Sequence, residues 1–209
     1  TISNRMRRTP ELDLAGIQPA EVEKPLKGPN DYDVMMYVIE NTQYFPCYEE
    51  YQAYEDEIGD DGSPLVSVGD SPFHYFLQAF AGYEKGYYDL ADDPQKVERL
   101  LDLMAQKERE EMWPVVAKSP ARLLLHGLHF DSQLTPPKMY DKYIMPYYQG
   151  FTELMHRHDK TVAMHADNDS RRILTHLSDS GYDMVECFTT APLVRCTLEE
   201  ARETWGTDM

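Results

Sequence analysis

Short apolar runs alternate with helix-patterned segments at least four times along this chain. That alternation predicts an α/β fold whose strands are parallel and joined by right-handed helical crossovers. Two further observations sharpen the class. The candidate strands are apolar on both sides and turn polar only at their ends, as a sheet covered on both faces requires. No glycine fingerprint follows the first strand, the feature that marks an open doubly wound nucleotide-binding sheet. A (β/α)8 barrel and an open sheet both accommodate the pattern, and 209 residues suffice for one core.

Taken in order, residues 1–30 are polar and interrupted by Pro10, Pro19, Pro25 and Pro29, and read as an irregular arm ahead of a folded domain over 31–209. Pro29-Asn30-Asp31 supplies capping chemistry for a helix over DYDVMMYVIENT, with Tyr32, Met35, Met36 and Ile39 as its apolar stripe. A second helix is expected from Tyr48 to Ile58. The tyrosines crowded here (Tyr32, Tyr37, Tyr44, Tyr48, Tyr51 and Tyr54) read as half-buried packing residues with their hydroxyls in water, not as an aromatic binding box. Gly59-Asp60-Asp61-Gly62 is turn chemistry and leads into a strand from Leu65 to Gly69. Ser71-Pro72 then opens a helix that Gly82 ends. Asp93-Pro94 starts the longest helix, with Val97, Leu100, Leu101 and Met104 on one face and its KEREE run as a solvated face.

The second strand lies in RLLLHGLHFDS, where alternation puts Leu123, Leu125, Gly127, His129 and Asp131 on one side and turns His126 to the other, as a structural residue. A helix follows Thr135-Pro136-Pro137, with Pro146 as a kink or break. The third strand is TVAMHADND, and Asn168-Asp169-Ser170 caps a helix with Ile173, Leu174 and Leu177 at helical spacing. DMVECFT is the last strand, and Thr197 starts a final helix. Cys187, of opposite parity to Glu186, reads as a buried small hydrophobe.

A formal charge of −17 argues against nucleic-acid or anionic-membrane surfaces, which need clustered Lys and Arg, and leaves small molecules or a partner protein. The three cysteines have no C-x-x-C spacing and one stays unpaired in any disulfide scheme, which fits a reducing cytoplasm. No charged-then-apolar leader and no apolar run near the roughly 18 residues of a spanning helix is visible, so a cytoplasmic chain is expected.

The strand ends gather the polar residues Asp70, His129, Asp131, His165, Asp167 and Glu186. Within the third strand Thr161, Ala163, His165 and Asp167 share one face. Residues two apart on a strand have Cα atoms about 6.5–7 Å apart, so an imidazole and a carboxylate at 165 and 167 can lean onto one metal ion. Nitrogen and oxygen donors suit zinc, iron, cobalt or manganese, and Glu186 or His129 could complete the shell. The plainer alternatives are a core histidine at 165, a helix cap at Asp167, a loop cap at Asp131, and an ion pair from Glu186 to Arg171 or Arg172.

The order of SPFHYFLQAFAG, HFDSQLTPPKMYDKYIMPYYQGF, AMHADND and GYDMVECFTTAPLVRCTLEEARETWG resembles the uroporphyrinogen decarboxylase superfamily, from about Pro25 to Trp205. That group includes the haem-pathway decarboxylase and the corrinoid-linked methyltransferases, and the resemblance implies a TIM barrel with its site at the C-terminal strand ends. Such barrels take about 250 residues, and only four clear strands are visible, so an incomplete barrel is expected here, as a fragment or without its ends. The decarboxylase's arginine-bearing opening motif has no match in the first 25 residues. In the methyltransferase branch the third-strand motif is a zinc-binding His-x-Cys. His165 matches its histidine, whereas Asp167 stands at the cysteine. Gln78 stands where the decarboxylase branch has a tyrosine, and Ser132 matches a serine that follows the second strand.

The resemblance therefore implies an enzyme closer to the methyltransferase-like members, moving a methyl group between a small methylated substrate and a corrinoid protein or a thiol. Its expected residues are a divalent metal, zinc or another transition metal, on His165 and Asp167; His129, Asp131 and Glu186 as catalytic groups; and Asp70, Gln78, Ser132 and Arg171 around the substrate. Porphyrinogen decarboxylation is the second reading, set back by the mostly acidic strand ends, near which only Arg171, Arg172 and Arg195 lie in sequence. A third is a non-catalytic member that binds a small molecule or a partner. A homodimer is compatible with each.

Overall fold

The computed structural model describes residues 1–206. Its elements run β1 (Arg5–Arg7), α1 (Pro10–Leu14), β2 (Ala20–Glu23), α2 (Asp31–Glu40), α3 (Glu49–Ile58), β3 (Leu65–Gly69), α4 (Pro72–Tyr75), α5 (Tyr83–Asp92), α6 (Pro94–Lys107), α7 (Trp113–Lys118), β4 (Leu123–His126), α8 (Pro137–Met139), α9 (Met145–His156), β5 (Thr161–His165), α10 (Leu174–Asp179), β6 (Met184–Glu186) and α11 (Leu198–Trp205). The chain divides into two compact units, one of residues 1–42 with 72–107 and the other of 43–71 with 108 onward.

In the first unit the stretch read as an irregular arm carries an antiparallel ribbon of β1 and β2 and one short helix. Four prolines concealed it, because three- and four-residue strands are too short to show a period. Helix α2 buries Tyr32, Met35 and Met36, and α6 buries the expected Val97, Leu100, Leu101 and Met104. Helix α5 is an addition to the sequence reading. It was hidden by Gly86, a poor helix former, at a close approach where a Cβ would lie 2.7 Å from the end of the Leu77 side chain.

The second unit holds a parallel sheet in the order β3-β4-β5-β6. Strand order that follows chain order without reversal is barrel topology; a doubly wound sheet reverses at a switch point. The fold is thus an incomplete (β/α) barrel, four parallel strands alternating with helices. Leu124, Val162, Ala163 and Met164 are fully buried in the sheet, beneath Ile144, Tyr148, Phe151 and Met155 of the preceding helical segment. Each such large side chain contributes about 1.5–3 kcal/mol by leaving water. In the register His165 lies opposite Glu186, and Leu125 opposite Ala163.

Among the described residues three π-helical turns interrupt the helices, at Phe76–Phe80, Glu108–Met112 and Tyr140–Ile144. The last falls directly before Met145-Pro146, where a proline lacking an N–H was expected to kink or break the helix; the helical backbone runs on through it without a break. No described helix is long and apolar enough to cross a membrane.

Candidate functional site

Strands β4, β5 and β6 end on the same side of the sheet, and their ends bring four polar side chains together. β5 stops at His165, and the loop beyond it turns Asp167 back so that its Oδ2 lies 3.4 Å from His165 Nε2. The second histidine arrives by another route. β4 stops at His126, Gly127 takes a φ of 104°, and His129 sits at a φ of 58°, its N–H donating to the His165 carbonyl at 3.1 Å. His129 Nδ1 is then 3.0 Å from both carboxylate oxygens of Asp167. The two imidazoles meet edge to face, with centroids 5.4 Å apart. The donor atoms of His129, His165 and Asp167 all lie within 4.8 Å of one another.

Glu186, at the end of β6, hydrogen-bonds His165 Nδ1. The two ring nitrogens thus face different acids. With Nδ1–H donating to Glu186, Nε2 turns its lone pair toward Asp167 and His129, as in the carboxylate–histidine pairs that stand behind metal sites. Burial pulls the His165 pKa down, but the Glu186 hydrogen bond and the charges of Asp167 and Glu186 outweigh it and the net shift is upward. The ring of acids favours a cation at this spot, whether a proton or a metal. Two imidazole nitrogens and a carboxylate oxygen form a donor set that fits a divalent transition metal.

Cys187 corrects the sequence reading. It is exposed, not buried, because the strand ends at Glu186 and Cys187 adopts a φ of 54°, so strand parity no longer applies. Its thiol joins His165 and Glu186 in a second set of donors within 4.8 Å. His129 and Cys187 are two of the three non-glycine residues with positive φ among those described. Such backbone costs about 1–2 kcal/mol per residue and concentrates where a side chain must be aimed.

Asp131 turns away from this group: its Oδ1 caps its own loop, accepting from the N–H groups of Gln133 and Leu134 at 2.7 and 3.3 Å. Asp70, expected at an open strand end, is only 6% exposed and accepts from the Tyr148 hydroxyl at 2.6 Å and the Ser71 N–H at 2.7 Å. Gln78 belongs to the first unit, where its carbonyl accepts from Lys24. Arg171 pairs with Glu200 at 2.6 Å, leaving Glu186 to His165. Ser132 is buried after β4, its N–H donating to the Asp169 carbonyl at 2.9 Å. Sequence alternation missed Cys187 altogether; the end of the apolar run MV before Glu186 was the available signal.

Residues 11–204 match the family model described as uroporphyrinogen decarboxylase (URO-D), a match that begins within the stretch read as an arm. A methyltransferase from Methanosarcina mazei has a similar fold, with a TM-score of 0.57 at 12% sequence identity. The similarity covers 91% of this chain and 54% of that one, so the chain spans about half the length of that structure. No curated protein matches. The family match spans nearly the whole chain and agrees with the barrel-type strand order: this chain belongs to the uroporphyrinogen decarboxylase family.

Proposed function

We propose that this chain forms part of a metal-assisted methyltransferase of its family, moving a methyl group between a small methylated substrate and a corrinoid protein or a thiol. The observation that carries the reading is the convergence of His129, His165 and Asp167 at the ends of two adjacent strands, where barrel enzymes do their chemistry. The methyltransferase fold neighbour adds support. His129, His165 and Asp167 would hold the metal, with Cys187 and Glu186 on the other side of His165. A bound divalent transition metal would supply Lewis-acid polarisation of the heteroatom that carries the methyl group. Glu186 fixes the His165 tautomer, and Asn168, donating to Asp167 Oδ1 at 2.9 Å, holds the carboxylate in place. Side chains here are between one-fifth and one-half exposed, so a substrate can reach them.

The family name favours a second reading, porphyrinogen decarboxylation. The acids at the strand ends oppose it, because a polycarboxylate would meet Asp167 and Glu186. Metal analysis of the purified, metal-reconstituted protein decides between them. One equivalent of tightly held transition metal, lost in His165→Ala, is the expected result; a metal-free protein that decarboxylates a porphyrinogen overturns the proposal.

A further inference from the structure

Among the loops that follow β4, β5 and β6 lies a cavity of ≈ 190 Å³ lined by Ser132, Gln133, Asp169, Arg171, Arg172 and Arg195. The loops that build the cluster also build this cavity. Ser132 and Gln133 follow His129 after β4; Asp169, Arg171 and Arg172 follow Asp167 after β5; Arg195 comes from the loop after β6. Three guanidiniums against one carboxylate make the lining cationic, in a chain of net charge −17. Part of that charge is already spent, because the Arg171 guanidinium is held by Glu200; Asp169 Oδ1 accepts from the main-chain N–H of Arg171 at 3.2 Å. Arg172 and Arg195 are exposed and make no ion pair among the described residues. At the cavity wall the Ser132 hydroxyl, on a residue 1% exposed, has no hydrogen-bond partner. A buried hydroxyl without a partner is costly and calls for one.

We infer that this cavity binds an anionic group of the substrate, a carboxylate or a phosphate, through Arg172, Arg195 and the Ser132 hydroxyl. Ligand pockets for whole small molecules run to about 300–1,000 Å³, so this cavity takes one functional group, with the rest of the molecule reaching toward His165 and Asp167. Planar guanidiniums match both anions bidentately. Assigning the anion to a methylated substrate rests on the methyl-transfer reading; the binding of the anion does not.

Benzoate and inorganic phosphate, titrated calorimetrically into the protein at low ionic strength, are the probes. At least one is expected to bind saturably, and the preferred probe tells a carboxylate from a phosphate. Replacing both arginines (Arg172→Gln with Arg195→Gln) is expected to weaken binding at least about tenfold, as loss of charge-assisted contacts does. The double Lys variant should recover part of it, and Ser132→Ala should weaken it a few-fold. Both arginines are exposed, so these variants keep the fold. Metal content is measured on the same samples. Anion binding in a metal-free protein retains this inference and removes the methyl-transfer reading. A metal-loaded protein that binds neither probe, or binds them equally well without Arg172 and Arg195, overturns the inference and leaves the metal reading intact.

Discussion

Two groups of ionisable side chains gather around the same sheet, and water separates their chemistry. Behind β3 and β4, Asp70, His126, Tyr147 and Tyr148 are packed into the core among Trp113 and Phe151. There desolvation decides: His126 is pushed down to about 4 by burial, and Tyr148 is held well above the usual phenol range by burial and by Asp70. Tyr147 donates to Glu108 at 2.7 Å and accepts from Trp113 Nε1–H at 3.3 Å. At the ends of β5 and β6, neighbouring charges decide instead, and His165 moves upward. The same residue type is a neutral packing element in one place and, beside Glu186 and Asp167, a group held toward its charged form in the other. A histidine is legible as functional only with its burial and its partners.

The sharpest way to break this contrast is at the residue that connects the two groups. Gly127 has a φ of 104°, and a Cβ there would meet the hydroxyls of Tyr182 and Tyr148 at 2.6 and 2.8 Å and Phe130 at 2.8 Å. Its carbonyl also accepts the His165 N–H at 3.0 Å. Gly127→Ala is expected to cost more than about 2 kcal/mol, from overpacking together with a backbone conformation that alanine avoids. Metal binding should fall with it, because His129 is aimed from this turn. A denaturant titration checks the first, and an unchanged midpoint would mean the two groups are not joined here.

Glu186→Gln tests the strand-end group alone. The amide keeps its size but not the charge that holds the His165 tautomer, so metal affinity should drop about tenfold to a hundredfold, with the melting temperature little changed. Equal affinity in competition with a chelator would show that His165 needs no orienting acid. Tyr148→Phe is the reciprocal experiment. Removing the hydroxyl deprives buried Asp70 of its donor at 2.6 Å and should destabilise by about 1–2 kcal/mol, leaving metal content as it was.

How far the sequence could reach follows from where regular backbone stops. The strand from Leu65 to Gly69, the polar ends, the helical irregularity next to Pro146 and the helix start at Thr197 were legible because each is a local pattern. Alternation put His129 on a shared face with Leu125, yet β4 has already ended at His126 and a turn delivers the imidazole. Asp131 and Cys187 depart from their expected places for the same reason: beyond a strand end, parity carries no information. The π-helical turns leave little trace, since each is a single turn inside a longer helix and has no residue signature of its own. The gathering of Arg171, Arg172 and Arg195 depends on loops from two strands closing on each other, which no local pattern encodes.

The smallest expected effect concerns Glu108, which belongs to the buried group but whose own side chain is only partly covered, so that solvent screens away most of what its shift would otherwise be worth in stability. Burial raises its carboxyl pKa to about 7 from 4.5, partly offset by the Tyr147 hydrogen bond and by Arg109, with the charge of Asp70 pushing further upward. Between about 4.5 and 7 the folded chain holds a proton that the unfolded chain has released. Unfolding therefore loses a proton in this window, and stability falls as pH rises through it. Glu108→Gln keeps an acceptor for Tyr147 and has nothing to titrate, so the variant should lose this decline and gain on the wild type above pH 7. The comparison is made as a difference in melting temperature at each pH, which cancels the histidines common to both proteins. Parallel curves across the window would place Glu108 in water and shrink the desolvated group to Asp70, His126, Tyr147 and Tyr148.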